Sequence, residues 1–222
     1  MASDKHNVQI IIQARLLSTR FPRKILKKIG DKSIIEIVFN NCLETGYNTV
    51  IAVPFGEKNK IAESASCGEE FMSEGSETDV LSRFYNSAYV SKGGIVVRIT
   101  SDCPLVTSEL IKSCVNYFVV SGVTYLTTTN LDIGSYNTVT NFPDGFDVEV
   151  FTYDSLCEAN KNAKSKLERE HVTLWIRNNF ECCVYNPGKV LLSLDNKYSI
   201  DTEDDYFRVS KIIDLGEKVW EP

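Results

Sequence analysis

Long apolar runs are missing from this chain, and their absence excludes one class of protein. Among its 222 residues, the longest apolar stretches cover residues 8–12 and 117–120. Both are well short of the roughly 18 residues that a membrane-spanning helix needs. Residues 1–6 are polar, and no apolar targeting segment follows them. We therefore expect a protein without membrane contact that works in the cytoplasm.

Histidine and paired cysteine motifs are also scarce. The chain has two histidines, His6 and His171, and seven cysteines with no Cys-x-x-Cys pair. An odd cysteine count without metal-ligand spacing argues against a disulfide scaffold and against a zinc site. Positive charge is in deficit as well, because 24 Lys and Arg stand against 30 Asp and Glu, for a net charge of −6. This balance argues against nucleic acid as a partner.

What the chain does contain is an alternation of strand and helix patterns. Strands are predicted at 8–13, 49–53, 69–73 and 95–100, and helices at 33–45, 58–66, after an N-cap at Thr78, and at 108–120. The β-branched runs are typical of strands buried on both faces. Strands separated by helices indicate right-handed crossovers and a mainly parallel sheet in a three-layer α/β fold.

The pattern changes after residue 124. Strands are predicted at 124–129 and 146–152, and helices at 154–163 and 167–178. The polar stretch 130–140 between them is expected to form a loop over a site. No Pro/Gly/Ser-rich linker divides the chain, so we expect one domain over residues 1–222.

The loop after the first predicted strand carries the strongest positive charge. Four cations lie within ten residues, with two hydroxyls between them: Arg15, Ser18, Thr19, Arg20, Arg23 and Lys24. Ligands of open α/β sheets bind at the carboxyl ends of strands, and a polyphosphate needs fixed cations and donors. The glycine patterns of Walker A loops and dinucleotide turns are absent. A solvated basic loop is the alternative, but the position after a buried strand favours polyphosphate binding.

Two acidic positions are candidates for a magnesium site. Asp102 follows the strand at 95–100, and Asp201 follows a short apolar element. Carboxylates are good Mg²⁺ ligands, although a turn or helix cap is the alternative role for Asp102. Three further acids at 203–205 begin a predicted helix capped by Thr202, where the helix dipole already stabilises carboxylates. We therefore single out Asp201 from this group.

A third cluster follows a Pro-Asp-Gly turn. Asp147 and Glu149 share one face of the predicted strand by two-residue alternation. Two carboxylates on an apolar strand are costly unless they are satisfied. Metal coordination or sugar-hydroxyl binding accounts for them, and structural hydrogen bonds account for them equally well. His171 is by default a structural histidine on a predicted helix, and Arg169 is a candidate partner of carboxylates.

These segments together resemble one known family. Five motifs, at residues 11–24, 98–105, 142–151, 169–173 and 200–202, follow the order found in the SpsF-type cytidylyltransferases. These enzymes are relatives of the CMP-Kdo and CMP-sialic acid synthetases. The resemblance extends from Ile10 to about Ile213 and implies a three-layer α/β/α nucleotide-diphospho-sugar transferase (GT-A-like) fold with a mainly parallel mixed sheet. It also implies a homodimer, with an acceptor and dimerisation subregion around residues 124–195.

The resemblance implies roles for individual residues. The triphosphate of CTP would be held by Ala14, Arg15, Ser18, Arg20 and Lys24, the base would lie near Ser76, Asp79 and Arg83, and Arg98 would face the nucleotide. Asp102 and Asp201 match the two carboxylates that hold Mg²⁺, and with Arg15 and Lys24 they form the expected catalytic set. Asp144, Asp147 and Glu149 would line the acceptor pocket, and we expect Arg169 and His171 there as well.

The implied reaction is transfer of CMP from CTP to an acceptor, with release of pyrophosphate. The leading acceptor is a sugar acid of the 3-deoxy-2-ulosonic type, in the synthesis of a surface polysaccharide or glycan. Two alternatives stay open. A GT-A glycosyltransferase would use a nucleotide sugar, but Ser101-Asp102-Cys103 does not supply its Asp-x-Asp metal motif. A catalytically silent nucleotide-binding protein is the other.

The chain departs from the family pattern at a few positions. Leu17, Arg23 and Ser101 stand where the family usually has glycine, and Glu203 replaces a proline. Glycine lets a backbone approach phosphate closely, so we expect Leu17 and Arg23 to alter the path of the loop. Arg23 is expected to compensate with an extra charged contact. Every charged position that the chemistry needs is present, which favours an active enzyme.

Overall fold

A computed structural model describes residues 7–89, 94–129, 140 and 142–222 of the chain. Its strands are β1 (Val8–Gln13), β2 (Lys28–Ile29), β3 (Lys32–Ser33), β4 (Asn48–Pro54), β5 (Met72–Gly75), β6 (Ile95–Thr100), β7 (Tyr125–Thr127), β8 (Glu149–Thr152), β9 (Cys182–Val184), β10 (Lys189–Val190) and β11 (Trp220–Glu221). Its helices are α1 (Ile34–Leu43), α2 (Lys58–Ser64), α3 (Val80–Ser87), α4 (Ser108–Ser121), α5 (Tyr153–Asn162), α6 (Lys166–Glu170), α7 (Leu174–Asn179) and α8 (Glu203–Asp214).

The main sheet has the strand order β5-β4-β1-β6-β8-β7-β9. Strands β5, β4, β1 and β6 are parallel, which places their carboxyl ends along one edge. Strand β8 runs antiparallel to both of its neighbours, β6 and β7, and β9 is parallel to β7. The predicted mainly parallel mixed sheet is confirmed.

Helices cover both faces of the sheet, because alternate residues of each strand point to opposite sides. Ile10 and Ile12 of β1 pack with α1, α2, α4 and α8 in one apolar cluster. Ile11 faces the other way and packs with α3, α5 and α7 in a second cluster. This arrangement gives the three-layer α/β/α fold. Within the described ranges, no helix is long and apolar enough to cross a membrane.

Most predicted elements occur close to their predicted positions. Strands β1 and β6 have the predicted bounds, and α1 begins after Ser33, whose side chain accepts a hydrogen bond from the Glu36 amide. Gly46, after the end of this helix, has a left-handed φ of +77°. Most of the predicted loop at 130–140 lies outside the described residues.

Four local predictions were wrong. The strand predicted at 69–73 begins only at Met72, because residues 69–71 form a 3-10 helix. In the other three cases a side chain or a turn changed the backbone. The N-cap of α3 is Asp79 rather than Thr78. Strand β8 begins only at Glu149, because the Val148 amide donates to the Thr128 hydroxyl instead of continuing the ladder. The helix predicted at 167–178 is divided into α6 and α7, because Val172 has a φ of +42° that a helix does not allow.

Candidate active site

Two adjoining cavities open at the carboxyl edge of the parallel strands. The smaller has a volume of about 300 Å³ and lies between the loop after β1 and the end of β6. The larger, of about 920 Å³, lies between β6, β8 and the segment before α8. Thr100, Asp102 and Asp201 line both cavities. We call them the loop cavity and the wide cavity.

The loop cavity collects most of the predicted phosphate ligands. Its lining includes Arg15, Ser18, Arg20 and Lys24, together with Leu17 and Thr19. Ala14 does not line it, because the Ala14 amide donates to the Ala52 carbonyl at 3.1 Å and continues the pairing between β1 and β4. The cavity is therefore rich in fixed cations and hydroxyls that suit a polyanion.

The shape of the loop depends on two anchors. Glu57 accepts a hydrogen bond from the Leu16 amide at 2.7 Å, and the Arg23 amide donates to the Leu16 carbonyl at 3.1 Å. Arg23 has a φ of +56°, in the left-handed region that favours glycine. Its side chain is exposed and does not line the loop cavity, so the structure does not provide the compensating contact expected of it. Leu17 needs no such backbone conformation and is 63% exposed.

Asp102 and Asp201 converge on one cation. Lys24 Nζ lies 2.6 Å from Asp102 Oδ2 and 2.8 Å from Asp201 Oδ1. Burial acts to lower the pKa of Lys24, but Asp102 and Asp201 together raise it. Burial likewise acts to raise the pKa of Asp201, yet hydrogen bonds from Lys197 and Lys24 lower it to about 2. Both carboxylates are thus held close together by ammonium groups.

This pair of carboxylates fits a magnesium ion that also binds substrate. Mg²⁺ in nucleotide sites is usually held by one or two carboxylates plus phosphate oxygens. Asp102 and Asp201 reach the same atom from two different segments, so one cation can contact both. Among the described residues no three acidic, histidine or cysteine side chains group into a complete metal site. A metal held here would take its remaining ligands from phosphates and water.

Asp147 lies on the wall of the wide cavity. Its Oδ2 accepts hydrogen bonds from the Gly145 amide at 2.9 Å and from Cys103 Sγ at 3.4 Å. Burial, with additional repulsion from Asp144 and Asp102, raises the pKa of Asp147 to about 6. Burial and the nearby carboxylates also raise the pKa of Cys103, so its thiol stays protonated and remains a donor.

Arg98 and Glu149 form an ion pair across the strands of the wide cavity. They are directly opposite each other in the antiparallel register of β6 and β8, and Arg98 Nη1 bonds Glu149 Oε2. Glu149 Oε1 accepts from the Tyr125 hydroxyl at 2.5 Å and from the Thr173 hydroxyl at 2.7 Å. Burial acts to raise the pKa of Glu149, but Arg98 lowers it. Both oxygens of Glu149 are therefore engaged with protein groups.

Arg98 itself is held by a third strand. Its Nε and Nη2 atoms donate to Gln13 Oε1 at 3.0 and 2.9 Å. The side chain lines the wide cavity, whereas the resemblance predicted contact with the nucleotide. Gln13 lines the loop cavity, so these hydrogen bonds connect the two walls.

The segment before α3 is internally bonded, and its predicted base-contact residues Ser76, Asp79 and Arg83 line neither cavity. Asp79 caps α3 through the Ser82 amide and pairs with Arg169, whose Nε and Nη2 lie 2.9 and 2.8 Å from its oxygens. Ser76 accepts from the Asp79 amide at 3.0 Å. Arg169 also donates to the backbone carbonyl and side chain of Asn160, so the structure does not bring it to the wide cavity.

Arg83 is the least satisfied cation of this region. Its Nη1 donates to the Ser76 carbonyl at 2.6 Å, while Nε and Nη2 are buried without a hydrogen-bond partner among the described residues. Burial, together with repulsion from Arg15, lowers the pKa of Arg83 to about 10. Arg83 is almost fully buried and lines neither cavity, so the structure does not bring it into contact with the space that a ligand would fill.

Several site residues were not found by sequence reasoning. Arg177 and Lys197 line the wide cavity with the expected Asp144 and His171. Lys197 pairs with Asp144 at 3.3 Å and with Asp201. The sequence signal that could have identified Lys197 is its four-residue spacing from Asp201, whereas no local pattern marks Arg177.

Comparison with known proteins places this geometry in one class. A sequence model described as Cytidylyltransferase matches residues 9–208. The chain is 36% identical over 214 residues to the uncharacterised protein MJ1063 of Methanocaldococcus jannaschii, covering 92% of this chain and 84% of that one. It is 28% identical over 213 residues to the spore coat polysaccharide biosynthesis protein SpsF of Bacillus subtilis, covering 90% and 84%.

A partial relative and a solved structure agree with this class. A 3-deoxy-manno-octulosonate cytidylyltransferase of Francisella tularensis subsp. novicida is 31% identical over 109 residues, which are 48% of this chain and 44% of that enzyme. The structure of a cytidylyltransferase from Leptospira borgpetersenii superposes with a TM-score of 0.78 at 25% identity, covering 95% of this chain and 87% of that one.

The fold and the site therefore define a nucleotidyltransferase, and the chain belongs to the cytidylyltransferase family. Within that family it is similar to SpsF and, over about half of its length, to a 3-deoxy-manno-octulosonate cytidylyltransferase.

Proposed function

We propose that this protein transfers CMP from CTP to a sugar acid of the 3-deoxy-2-ulosonic type and releases pyrophosphate. The observation that carries the proposal is the convergence of Lys24, Asp102 and Asp201 at the wall shared by the two cavities. A donor in the loop cavity and an acceptor in the wide cavity would meet at this wall. The relatives that act on such acids support the choice of acceptor.

The donor fits the loop cavity by charge. Arg15, Ser18, Arg20 and Lys24 would bind the triphosphate. Arg83, which the resemblance puts near the base, is buried and lines neither cavity. Asp102 and Asp201 would hold Mg²⁺, which supplies charge neutralisation on the phosphates when bound. Lys24 then exchanges its carboxylate partners for phosphate oxygens.

The reaction requires positioning more than covalent chemistry by the protein. The acceptor hydroxyl oxygen bonds to the α-phosphorus of CTP, while the bond from that phosphorus to the oxygen bridging to the β-phosphate breaks. Pyrophosphate takes the electron pair of the broken bond, and the hydroxyl proton passes to solvent. Arg15, Arg20 and Lys24 stabilise the charge that develops on the triphosphate.

The acceptor side offers groups for both parts of a sugar acid. His171 and Arg177 lie on the wall of the wide cavity where a carboxylate would need a cation, a role that the sequence had suggested for Arg169. Asp144 and Asp147 face the same space and would bind polar substituents of the sugar. Both oxygens of Glu149 are bonded to protein groups, so Glu149 would position Arg98 rather than contact the acceptor.

Calorimetry with CTP, UTP, ATP and GTP in the presence of Mg²⁺ tests the donor. We expect selective, metal-dependent binding of CTP that Asp102→Asn abolishes, while the exposed acid variant Asp204→Asn binds normally. Pyrophosphate release with CTP and 3-deoxy-D-manno-octulosonate tests the acceptor class. Normal activity in a folded Asp102→Asn protein would overturn the site, and CTP binding without pyrophosphate release from any sugar acid would favour a silent nucleotide-binding protein.

Four broader expectations stay predictions. Each is compatible with the family, and each needs its own measurement. They are a homodimer, a cytoplasmic location, a role in polysaccharide synthesis, and one domain over residues 1–222 with an acceptor and dimerisation subregion. Sedimentation analysis of the purified chain tests the first.

A further inference from the structure

The wide cavity carries more negative than positive charge. Among the described residues of its lining there are six carboxylates, Asp102, Asp144, Asp147, Glu149, Asp195 and Asp201, against the cations Arg98, Arg177 and Lys197 and the imidazole of His171. A cavity lined by one sign of charge concentrates ligands of the opposite sign. CTP bound next to this wall would make the space more negative still.

Most of these carboxylates form an ion pair with a lysine or arginine of the protein. Arg98 pairs with Glu149, Lys197 pairs with Asp144 and Asp201, and Lys24 bridges Asp102 and Asp201. Two carboxylates of the lining, Asp147 and the exposed Asp195, have no ion pair with any residue in the described part of the chain. Asp147 is hydrogen-bonded by the Gly145 amide and the Cys103 thiol, and Arg98 acts on it only at longer range. By sequence, residues 130–139 and 141, which lie outside the described part, contain no Lys, Arg or His.

Asp147 is also held in place and faces the space that an acceptor would fill. Gly145 has a φ of +108°, and a Cβ there would lie 2.2 Å from the Tyr198 carbonyl carbon. The Tyr198 amide donates to the Asp144 carbonyl at 2.7 Å, which fixes the turn against the segment before α8. Because Gly145 and Cys103 hold Oδ2, the carboxylate cannot turn toward a distant cation without losing both hydrogen bonds.

We propose that the acceptor carries a protonated amine that binds Asp147, so that the substrate is an amino-substituted sugar acid. This inference rests on the proposed transfer of CMP to a sugar acid. The ammonium group would give Asp147 the ion-pair partner that the described residues do not supply. The acid group of the same substrate would lie toward His171 and Arg177.

An amine matches this position better than the alternative substituents. A partly buried carboxylate without an ion-pair partner costs free energy that an ammonium ion offsets, and charge-assisted hydrogen bonds are stronger than those from a neutral hydroxyl. A phosphorylated acceptor would bring at least one more negative charge between Asp147, Asp144 and the triphosphate. The cavity therefore favours an amine and disfavours a second phosphate.

The test compares matched acceptors that differ in one group. Pyrophosphate release is measured with CTP, Mg²⁺ and pairs of 3-deoxy-2-ulosonic acids in which an amine replaces one hydroxyl at successive carbons. For one pair we expect the amino member to have a kcat/KM at least about tenfold higher in the wild-type protein. Asp147→Asn should remove that preference, because it lowers the kcat/KM of the amino member more than that of the hydroxyl member. The exposed acid variant Asp31→Asn serves as the matched control for loss of one charge and should keep the preference.

The outcomes separate this inference from the function on which it rests. If the wild-type protein uses hydroxyl acids well and no amino member better, the amine inference is overturned and the proposed function stands. If no acid of any pair releases pyrophosphate, the proposed acceptor class is overturned. In that case the amine inference is tested by measuring how much each member of a pair raises the thermal midpoint of the CTP complex. Equal stabilisation by both members overturns it, and stabilisation by an amino member that Asp147→Asn removes supports it.

Discussion

The buried ion pair between Arg98 and Glu149 allows a sharp prediction about stability. Glu149→Gln removes the negative charge and keeps the size and shape of the side chain. Gln can still accept hydrogen bonds from Tyr125 and Thr173 through one oxygen, but its amide N–H groups would face the Arg98 guanidinium. A buried cation would then have no counter-charge opposite it.

The expected cost follows from the burial of both partners. Removing one member of a buried ion pair destabilises proteins by roughly 3–5 kcal/mol. Gln13 still accepts two hydrogen bonds from Arg98, so we expect the lower end, about 3 kcal/mol. The double variant Arg98→Met/Glu149→Leu leaves no buried charge and should cost less than the sum of its two single variants by at least about 1 kcal/mol.

Equilibrium urea unfolding measures these differences. Far-ultraviolet circular dichroism and the fluorescence of Trp175 and Trp220 should give coincident transitions with unchanged m-values, so that shifts in midpoint report stability. The exposed variant Glu63→Gln is the control and should unfold like the wild type. A loss below about 1 kcal/mol in Glu149→Gln, or strict additivity in the double variant, would refute the assigned role of the pair.

Three further predictions concern the turns and the acidic wall. Arg23→Gly should raise the unfolding free energy by up to about 1 kcal/mol, because glycine relieves the strain of the left-handed backbone. The greater entropy of glycine in the unfolded chain offsets part of this gain. A more than tenfold rise in the KM for CTP would show that Arg23 does contact the triphosphate. Gly145→Ala should lose at least about 2 kcal/mol of stability through its positive φ and its clash with Tyr198, and an unchanged thermal midpoint would contradict this. Because the folded pKa of Asp147 is raised to about 6 from 3.8, stability falls as pH rises from about 4 to about 6. Asp147→Asn should therefore be more stable than the wild type at pH 7.5, by up to about 3 kcal/mol, and equally stable at pH 4 in chemical unfolding; a constant difference across this range would argue against the burial of its charge.

The sequence predicted the parts of this structure that depend on local pattern. Continuous β-branched runs identified β1 and β6 with their bounds, and helical spacing identified α4. The rule that the carboxyl ends of parallel strands meet at one edge of the sheet also placed Asp102 near the cationic loop, since β1 and β6 are parallel neighbours. These signals are local, so a single sequence carries them.

Pairings between distant segments were beyond that reasoning. Arg98 and Glu149 meet only because β6 and β8 are antiparallel in one register, which no local pattern specifies. Arg169 pairs with Asp79 across 90 residues of sequence. The division of α6 from α7 depends on Val172 adopting a backbone conformation that β-branched residues disfavour, so propensity predicted one continuous helix there.

The contact between Lys24 and Asp201 joins residues that are 177 positions apart. During synthesis the cationic loop is complete when only about a tenth of the chain exists, but its acidic counterpart leaves the ribosome near the end. Closing so long a loop is a late and entropically costly event in folding. A nascent or truncated chain that ends before Asp201 therefore leaves Lys24 with Asp102 as its acidic partner, and the pair of carboxylates is complete only once residue 201 has been synthesised.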